Sequence, residues 1–166
     1  MDTQRVRWPT VLAIVVGIVV VDQLSKSWSG HVGNPTFGQV RNTGLLMGVL
    51  AAPAPVLILW MLFVMCVFIA VIGRWAVQLG ISPVAPALIC GGFVAHMTDR
   101  ARFGAVRDFL QLGKYVIDIA DIAVVIGIVA LVIAAVTRVS ELRAARSHIA
   151  FDARTFSAAI VRDRAA

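Results

Sequence analysis

The chain has 166 residues, 60% hydrophobic and 14% charged, with a formal net charge of +6 and a mean hydropathy of +0.89. A soluble domain carries about a quarter charged residues, so this composition excludes an ordinary water-soluble fold and points to a membrane protein of one compact bundle. The positive balance does not describe a nucleic-acid binder, because the arginines gather at the ends of apolar runs and in the C-terminal part, where membrane topology accounts for them. Four runs are long enough to cross about 30 Å of hydrocarbon as helix. The first, PTVLAIVVGIVVVDQLSKSW (9–28), follows Arg5 and Arg7 as a signal peptide would. It carries Asp22 and Lys26 where a small-residue cleavage site belongs, so it is expected to persist as an uncleaved anchor. The stretch VGNPTFGQVRNTG, punctuated by Gly, Pro and Asn, suggests a small strand-like element after it. The second run is PVLILWMLFVMCVFIAVIG (55–73). The third, about Gly80 to Met97, is weakened by Pro83, Pro86 and the Gly91-Gly92 pair, and the fourth extends from near Ile119 to Val136. The segment 138–166 alternates apolar and charged residues and reads as a peripheral amphipathic helix or a loosely ordered tail. Cys66 and Cys90 lie inside apolar runs and are expected to be small core residues without a disulfide.

The expected fold is therefore an all-α four-transmembrane-helix bundle with a small extracytoplasmic β-like element between helices 1 and 2. Residues 1–137 form the membrane domain and 138–166 a cytoplasmic tail. Four crossings place both termini on one side, with Arg5, Arg7, Arg74, Arg138, Arg143 and Arg146, and the cation rule makes that side cytoplasmic. The opposite side gathers Lys26, Arg41, Arg100, Arg102, Arg107 and Lys114 together with five acids, Asp22, Asp99, Asp108, Asp118 and Asp121. Acids at a membrane boundary are costly, and such residues carry function by default.

His31, His96 and His148 are scattered, so no metal and no cofactor is expected. A Ser25–Lys26 nucleophile is disfavoured because adjacent side chains diverge on a helix. Carboxylates remain. Two close aspartates do not both ionise readily, so one keeps a proton while the other acts as a base, an arrangement that activates water without a metal. The plainer reading makes these acids a solvated rim paired with neighbouring cations. It fits Asp121 least, since that residue heads an apolar helix with no cation three or four positions away.

Four segments in order, VVVDQLSKSW, VRNTGLLMGVL, GGFVAHMTDRARFGAVRDF and VIDIADIAVVIG, resemble the motifs of the lipoprotein signal peptidase (signal peptidase II) family from about Val19 to Gly127. The family pattern has D-Q-x-x-K, N-x-G, G-N-x-x-D-R with V-x-D-F, and N-x-A-D. The resemblance implies a catalytic pair at Asp108 and Asp121 that cleaves before a diacylglyceryl-modified cysteine and releases the signal peptide. It implies that Asp22, Lys26, Asn42, Gly44, Asp99 and Arg100 support or line the site, with Asp99–Arg100 as an ion pair or clamp and Asn42 reaching the substrate backbone. Two departures from the pattern matter: His96 and Asp118 stand where it has asparagines. An ionised Asp only accepts hydrogen bonds, whereas Asn also donates, and a protonated His96 beside Asp118 would compensate. The implied partners are a prolipoprotein and membrane lipid, with no nucleic acid; the protein is expected to be a monomer in the bacterial plasma membrane with its active site near the extracytoplasmic face. Two other readings stay open: a catalytically altered or inactive relative that binds lipoproteins, and a small proton-coupled transporter. The transporter is weakened by the absence of an internal repeat and of mid-membrane acids.

Overall fold

The computed structural model describes residues 8–32, 38–45 and 50–164. Helix α1 (Trp8–Val32) is followed by three short strands, β1 (Val40–Asn42), β2 (Gly44–Leu45) and β3 (Leu50–Ala51). Helix α2 (Ala54–Phe68) passes through a π-helical turn (Ile69–Gly73) into α3 (Arg74–Gln78), which makes one rod of 25 residues. Helix α4 (Val84–Phe103) then leads to β4 (Val106–Asp108), β5 (Leu110–Leu112) and β6 (Tyr115–Ile117), and α5 (Ile119–Arg164) completes the chain.

Three of these segments are long and apolar enough to cross a membrane: Trp8–His31, Ala54–Gln78 and Ile119–Ser147. Their outward side chains are large and apolar, as at Leu12, Leu24, Leu59, Phe63, Ile133 and Val136. The buried side chains include Asp22, Lys26, Asp99 and Asp118. Apolar outside and ionic inside is the arrangement a lipid solvent favours. Helix α4 has 20 residues, about 30 Å of helix, but its last turns carry His96, Asp99, Arg100 and Arg102. It lies between α1, α2 and α5 and touches all three.

Close packing explains why α4 looks weak as an apolar run. A Cβ on Gly92 would sit 2.7 Å from the Ala120 carbonyl oxygen, and one on Gly91 would sit 2.9 Å from Ile18. From the other side, a Cβ on Gly127 would meet Ile89 at 2.7 Å and the Ala85 carbonyl oxygen at 2.9 Å. Small residues let helix backbones approach where lipid provides no hydrophobic drive between them. Pro83 and Pro86 fall at the N-cap and in the first turn, where a missing N–H costs no helical bond. The helix thus starts later than the expected Gly80 and runs past Met97 until Gly104, at φ 72°, caps it in the left-handed conformation.

Strand structure is more extensive than expected. Val40–Asn42, inside the segment read as strand-like, pairs antiparallel with β4, bringing Val40 opposite Asp108 and Asn42 opposite Val106. A second strand element lies between α4 and α5: β5 and β6 form a hairpin closed by Leu112 and Tyr115. Gly113 at φ 62° opens its two-residue turn. The remainder of the strand-like reading, residues 33–37, lies outside the described residues. Cys66 is free, as expected, but it is exposed on α2 and is not a core residue; Cys90 is half-buried. Helix α2 turns only Leu57 and Met61 fully inward, so its apolar composition reflects an outward face. The segment after Arg138 continues α5 as helix to Arg164.

Candidate active site

The polar end of the molecule is where α1 and α4 finish and α5 begins. Asp22 and Lys26, one turn apart on α1, make a 2.7 Å ion pair. The Lys26 ammonium also lies 2.9 Å from Asp99 of α4 and 2.5 Å from Asp118 at the start of α5. All four side chains are fully buried, so one cation ties three helices together through three carboxylates. Placing a bare charge there would cost several kcal/mol, and only mutual pairing makes it tolerable.

Asp118 is the N-cap of α5. Its Oδ1 accepts the Asp121 N–H at 2.8 Å, and Asp121 Oδ2 accepts the Asp118 N–H at 3.2 Å. This reciprocal pair is a capping box written with two aspartates. Asp22 Oδ1 accepts the intervening Ala120 N–H at 3.2 Å, so carboxylates from two elements face the positive end of the helix. His96 closes the group from α4: its Nε2 is 3.2 Å from Asp118 Oδ1 and 3.6 Å from Asp121 Oδ1. Asp121 has no cation on its own helix within three or four positions, and His96 is the titratable group that faces it from α4.

Asp108 ends β4 and is buried. Asn42 Nδ2 donates to Asp108 Oδ2 at 3.2 Å across the β1–β4 pair, and Asn42 Oδ1 accepts the Gly44 N–H at 3.1 Å. Asn42 therefore orients an acid, which sequence reading did not foresee. Burial and the nearby Asp118 charge push the Asp108 carboxyl up to about 6, against the Asn42 hydrogen bond, and Asp121 adds to the rise. For Asp118 burial alone would also raise the value, but His96 and Lys26 outweigh it and hold that carboxyl well below the usual carboxylate range.

The expected Asp99–Arg100 pair does not form. Consecutive residues point apart on a helix, and Asp99 pairs with Lys26 and with Arg107, whose Nη2 lies 2.8 Å from Asp99 Oδ1. Arg100 instead donates from Nη2 to the Gly44 carbonyl at 2.7 Å. Its Nε and Nη1 have no hydrogen-bond partner among the described residues. Two further members of the network were missed, Gln23 and Arg107. Gln23 Nε2 donates to Asp99 at 2.9 Å and its Oε1 accepts from Arg107 at 3.1 Å. The signal was present, since Gln23 stands between Asp22 and Lys26 in the first motif and Arg107 precedes Asp108. Ser25 donates to the Asp22 carbonyl at 2.8 Å, and Lys26 is saturated with carboxylates, so the Ser–Lys alternative has no geometry.

Among the described residues two groups have the spacing of a metal site, His96–Asp118–Asp121 and Asp22–Asp99–Asp118, each with ligand atoms within 4.8 Å of one another. The Lys26 ammonium pairs with all three acids of the second. The first is the cluster that scattered histidines concealed in the sequence. A cavity of about 470 Å³ lined by Trp8, Val11, Phe68, Pro83, Pro86 and Cys90 contains none of these residues.

The profile of the Signal peptidase (SPase) II family matches residues 14–137. The chain belongs to that family. The match covers α1 through the apolar part of α5 and therefore the whole ionic end. Among relatives, the chain is 33% identical to the lipoprotein signal peptidase of Rhodopseudomonas palustris over 148 residues, spanning 74% of this chain and 90% of that protein. It is 30% identical to that of Nitrobacter hamburgensis (72% and 87% covered) and 29% identical to that of Moorella thermoacetica (72% and 88%). Two solved bacterial membrane enzymes share the fold, with TM-scores of 0.62 and 0.60 at 23% and 20% identity. They align over 80% and 81% of this chain and over 91% and 97% of their own. The protein is thus a membrane-integral member of the signal peptidase II family.

Proposed function

We propose that the chain is an intramembrane aspartyl endopeptidase that removes signal peptides from diacylglyceryl-modified prolipoproteins, cutting before the lipidated cysteine. The observation that carries this reading is the placement of Asp108 and Asp121 at the polar end, in different environments. Asp108 is buried, with its carboxyl raised to about 6. Asp121 is part-exposed, its side chain 40% accessible, with His96 beside it. Dissimilar environments set apart the acid and the base of a pair.

In this mechanism Asp108 starts protonated and Asp121 starts ionised. Asp121 takes a proton from water as the water oxygen attacks the scissile carbonyl, forming a tetrahedral intermediate. Asp108 gives its proton to the leaving nitrogen, and the C–N bond breaks. The products are a signal peptide with a new carboxylate and a lipoprotein with a free amino group on its cysteine. Proton exchange with solvent returns the pair to its starting state. Asn42 holds Asp108 in place. The Asp22–Lys26–Asp99–Asp118 network fixes the three helices on which the acids depend, with Gly44 anchoring Arg100.

Topology follows the same reading. Helices α1 and α4 run towards the polar end and α5 away from it, which supports α4 as a fourth crossing and both termini in the cytoplasm. The polar end then faces the extracytoplasmic side of the bacterial plasma membrane. Residues 1–137 carry the peptidase and 138–166 a cytoplasmic extension, and the unit is a monomer. The deciding experiment incubates purified protein in detergent with a diacylated prolipoprotein and its unlipidated form. Acyl burial contributes roughly 0.8 kcal/mol per CH₂, so the unlipidated form should be cut poorly or not at all. Equal cleavage of both would make this a general membrane protease.

A further inference from the structure

The ionic end contains a group that the proposed cleavage does not use directly. His96 comes from α4, its side chain is 18% accessible, and its Nε2 faces two carboxylate oxygens, Asp118 Oδ1 at 3.2 Å and Asp121 Oδ1 at 3.6 Å. Asp118 is held from the other side by Lys26 at 2.5 Å and receives the Asp121 N–H at 2.8 Å. Four carboxylates, Asp22, Asp99, Asp118 and Asp121, share this region. Lys26 and Arg107 supply two positive charges in contact with them. Asp121 has no other cation within 4 Å among the described residues, so a neutral imidazole would leave it unpaired and an imidazolium pairs it. We propose that His96 is a positioning residue held as an imidazolium, which locks Asp118 into the α5 capping box and so fixes the orientation and charge of Asp121.

This rests on the peptidase reading above, and it adds a control element to the same site. The charged groups facing His96 are Lys26 from α1, Asp108 from β4, and Asp118 and Asp121 from α5, with Asp99 and Arg100 one turn on along α4 itself. Asp118 takes no part in proton transfer here; it transmits the His96 charge to the helix turn. Removing one member of a buried charge pair strands the other, whereas replacing both by neutral hydrogen-bonding groups leaves neither charge unmatched.

The test has two arms. In the first, kcat/KM and its pH profile are measured for H96N, D118N and the double variant, with thermal stability followed in parallel. Each single change should lower kcat/KM at least tenfold, and the double should return to within a few-fold of the parent. The ascending limb should move to higher pH in H96N, which loses a cation beside Asp121, and stay near the parent's in D118N, where the lost anion is offset by the imidazole giving up its proton. A merely structural role would not move the limb in H96N and leave it in place in D118N. Additive costs with fixed limbs would overturn the proposal. The second arm needs no substrate and no turnover. Nitrogen NMR of ¹⁵N-histidine protein should show the His96 ring doubly protonated at pH 7.5 in the parent and neutral in D118N. A neutral ring in the folded parent would refute the proposal even if cleavage is confirmed. Absence of cleavage with a charged ring would instead remove the peptidase reading and keep the pair. Loss of the imidazolium signal on adding zinc at stoichiometric amounts, with activity that EDTA abolishes and zinc restores, would make the cluster a metal site and overturn the proposal.

Discussion

Helices α2 and α4 are opposite solutions to life in a bilayer. Helix α2 with α3 is the more apolar by far, yet it turns only Leu57, Met61 and Ala76 fully inward and shows Leu59, Trp60, Phe63 and Val71 outward. Helix α4 carries a proline in its first turn and another at its N-cap, two glycines, a histidine and four charged or polar residues near its end, and it is the helix the others pack on. In water, hydrophobicity marks what is buried. In lipid it marks what touches the solvent, so the less apolar helix is the central one.

Four experiments would break or sharpen that contrast. The largest effect belongs to the acids at the end of the central bundle. Asp108→Asn and Asp121→Asn should each reduce cleavage by at least about 10³-fold, since an amide cannot shuttle the proton. Both proteins should stay folded, because the side-chain carbonyl oxygen of an asparagine in place of Asp121 still accepts the Asp118 N–H. Strong residual turnover in a single-turnover assay would remove that residue from the mechanism. Next is Lys26→Met, which leaves Asp22, Asp99 and Asp118 without their shared cation. A loss of about 3–5 kcal/mol is expected, read as a fall of about 10 °C in detergent melting; an unchanged midpoint would mean the network does not hold the helices.

The pH profile probes the same end more gently. In the proposed mechanism Asp108 acts while protonated, and its carboxyl is raised to about 6, so kcat/KM should fall about tenfold per unit as pH rises beyond about 6. Substrate excludes water from the cleft, which should put the corresponding limb in kcat at higher pH. The same shift has a stability consequence of definite sign. Between about pH 4 and 6 the folded protein keeps a proton that the unfolded chain has released, so this group's contribution to stability declines as pH rises through that window. A kcat/KM that rises through pH 6 would exchange the roles of Asp108 and Asp121. Smallest is a packing comparison: Gly92→Val, where a Cβ would already crowd the Ala120 carbonyl, should cost about 1–3 kcal/mol. Cys66→Leu on exposed α2 should stay within about 0.5 kcal/mol. Equal melting shifts for the two variants would erase the distinction between the helices.

What could be read in the chain beforehand follows the same division. The long apolar runs were legible because hydropathy is a property of contiguous residues, whereas the roles given to Asp22, Lys26, Asp108 and Asp121 came from the family resemblance. The geometry between segments was not. Asp99 was assigned to its neighbour Arg100, but helix periodicity turns Arg100 to Gly44 and leaves Asp99 to Lys26 and Arg107. Nothing local in VRD announces a strand, because β4 exists by pairing with β1 far back in the chain. The hairpin after it was not foreseen, although Leu-Gly-Lys-Tyr places glycine where a two-residue turn needs a positive φ. His96 and Asp118, 22 positions apart, were singled out as departures from the family pattern, and the structure sets them in contact.

The aspartate capping box makes one turn of helix both a structural terminus and part of the proposed reactive centre. Helix ends are the places where hydrogen bonds open first, well below the free energy of global unfolding. Every such opening at Asp118–Asp121 dismantles the centre while the rest of α5 stays intact. Working lifetime is then governed by the breathing of four residues, and amide hydrogen exchange at Ala120 and Asp121 becomes a clock for it. These two protons, held by Asp22 and Asp118, should exchange more slowly than others in a first helical turn. Warming should release them, and with them the reactivity, at temperatures where the bundle as a whole still resists proteolysis.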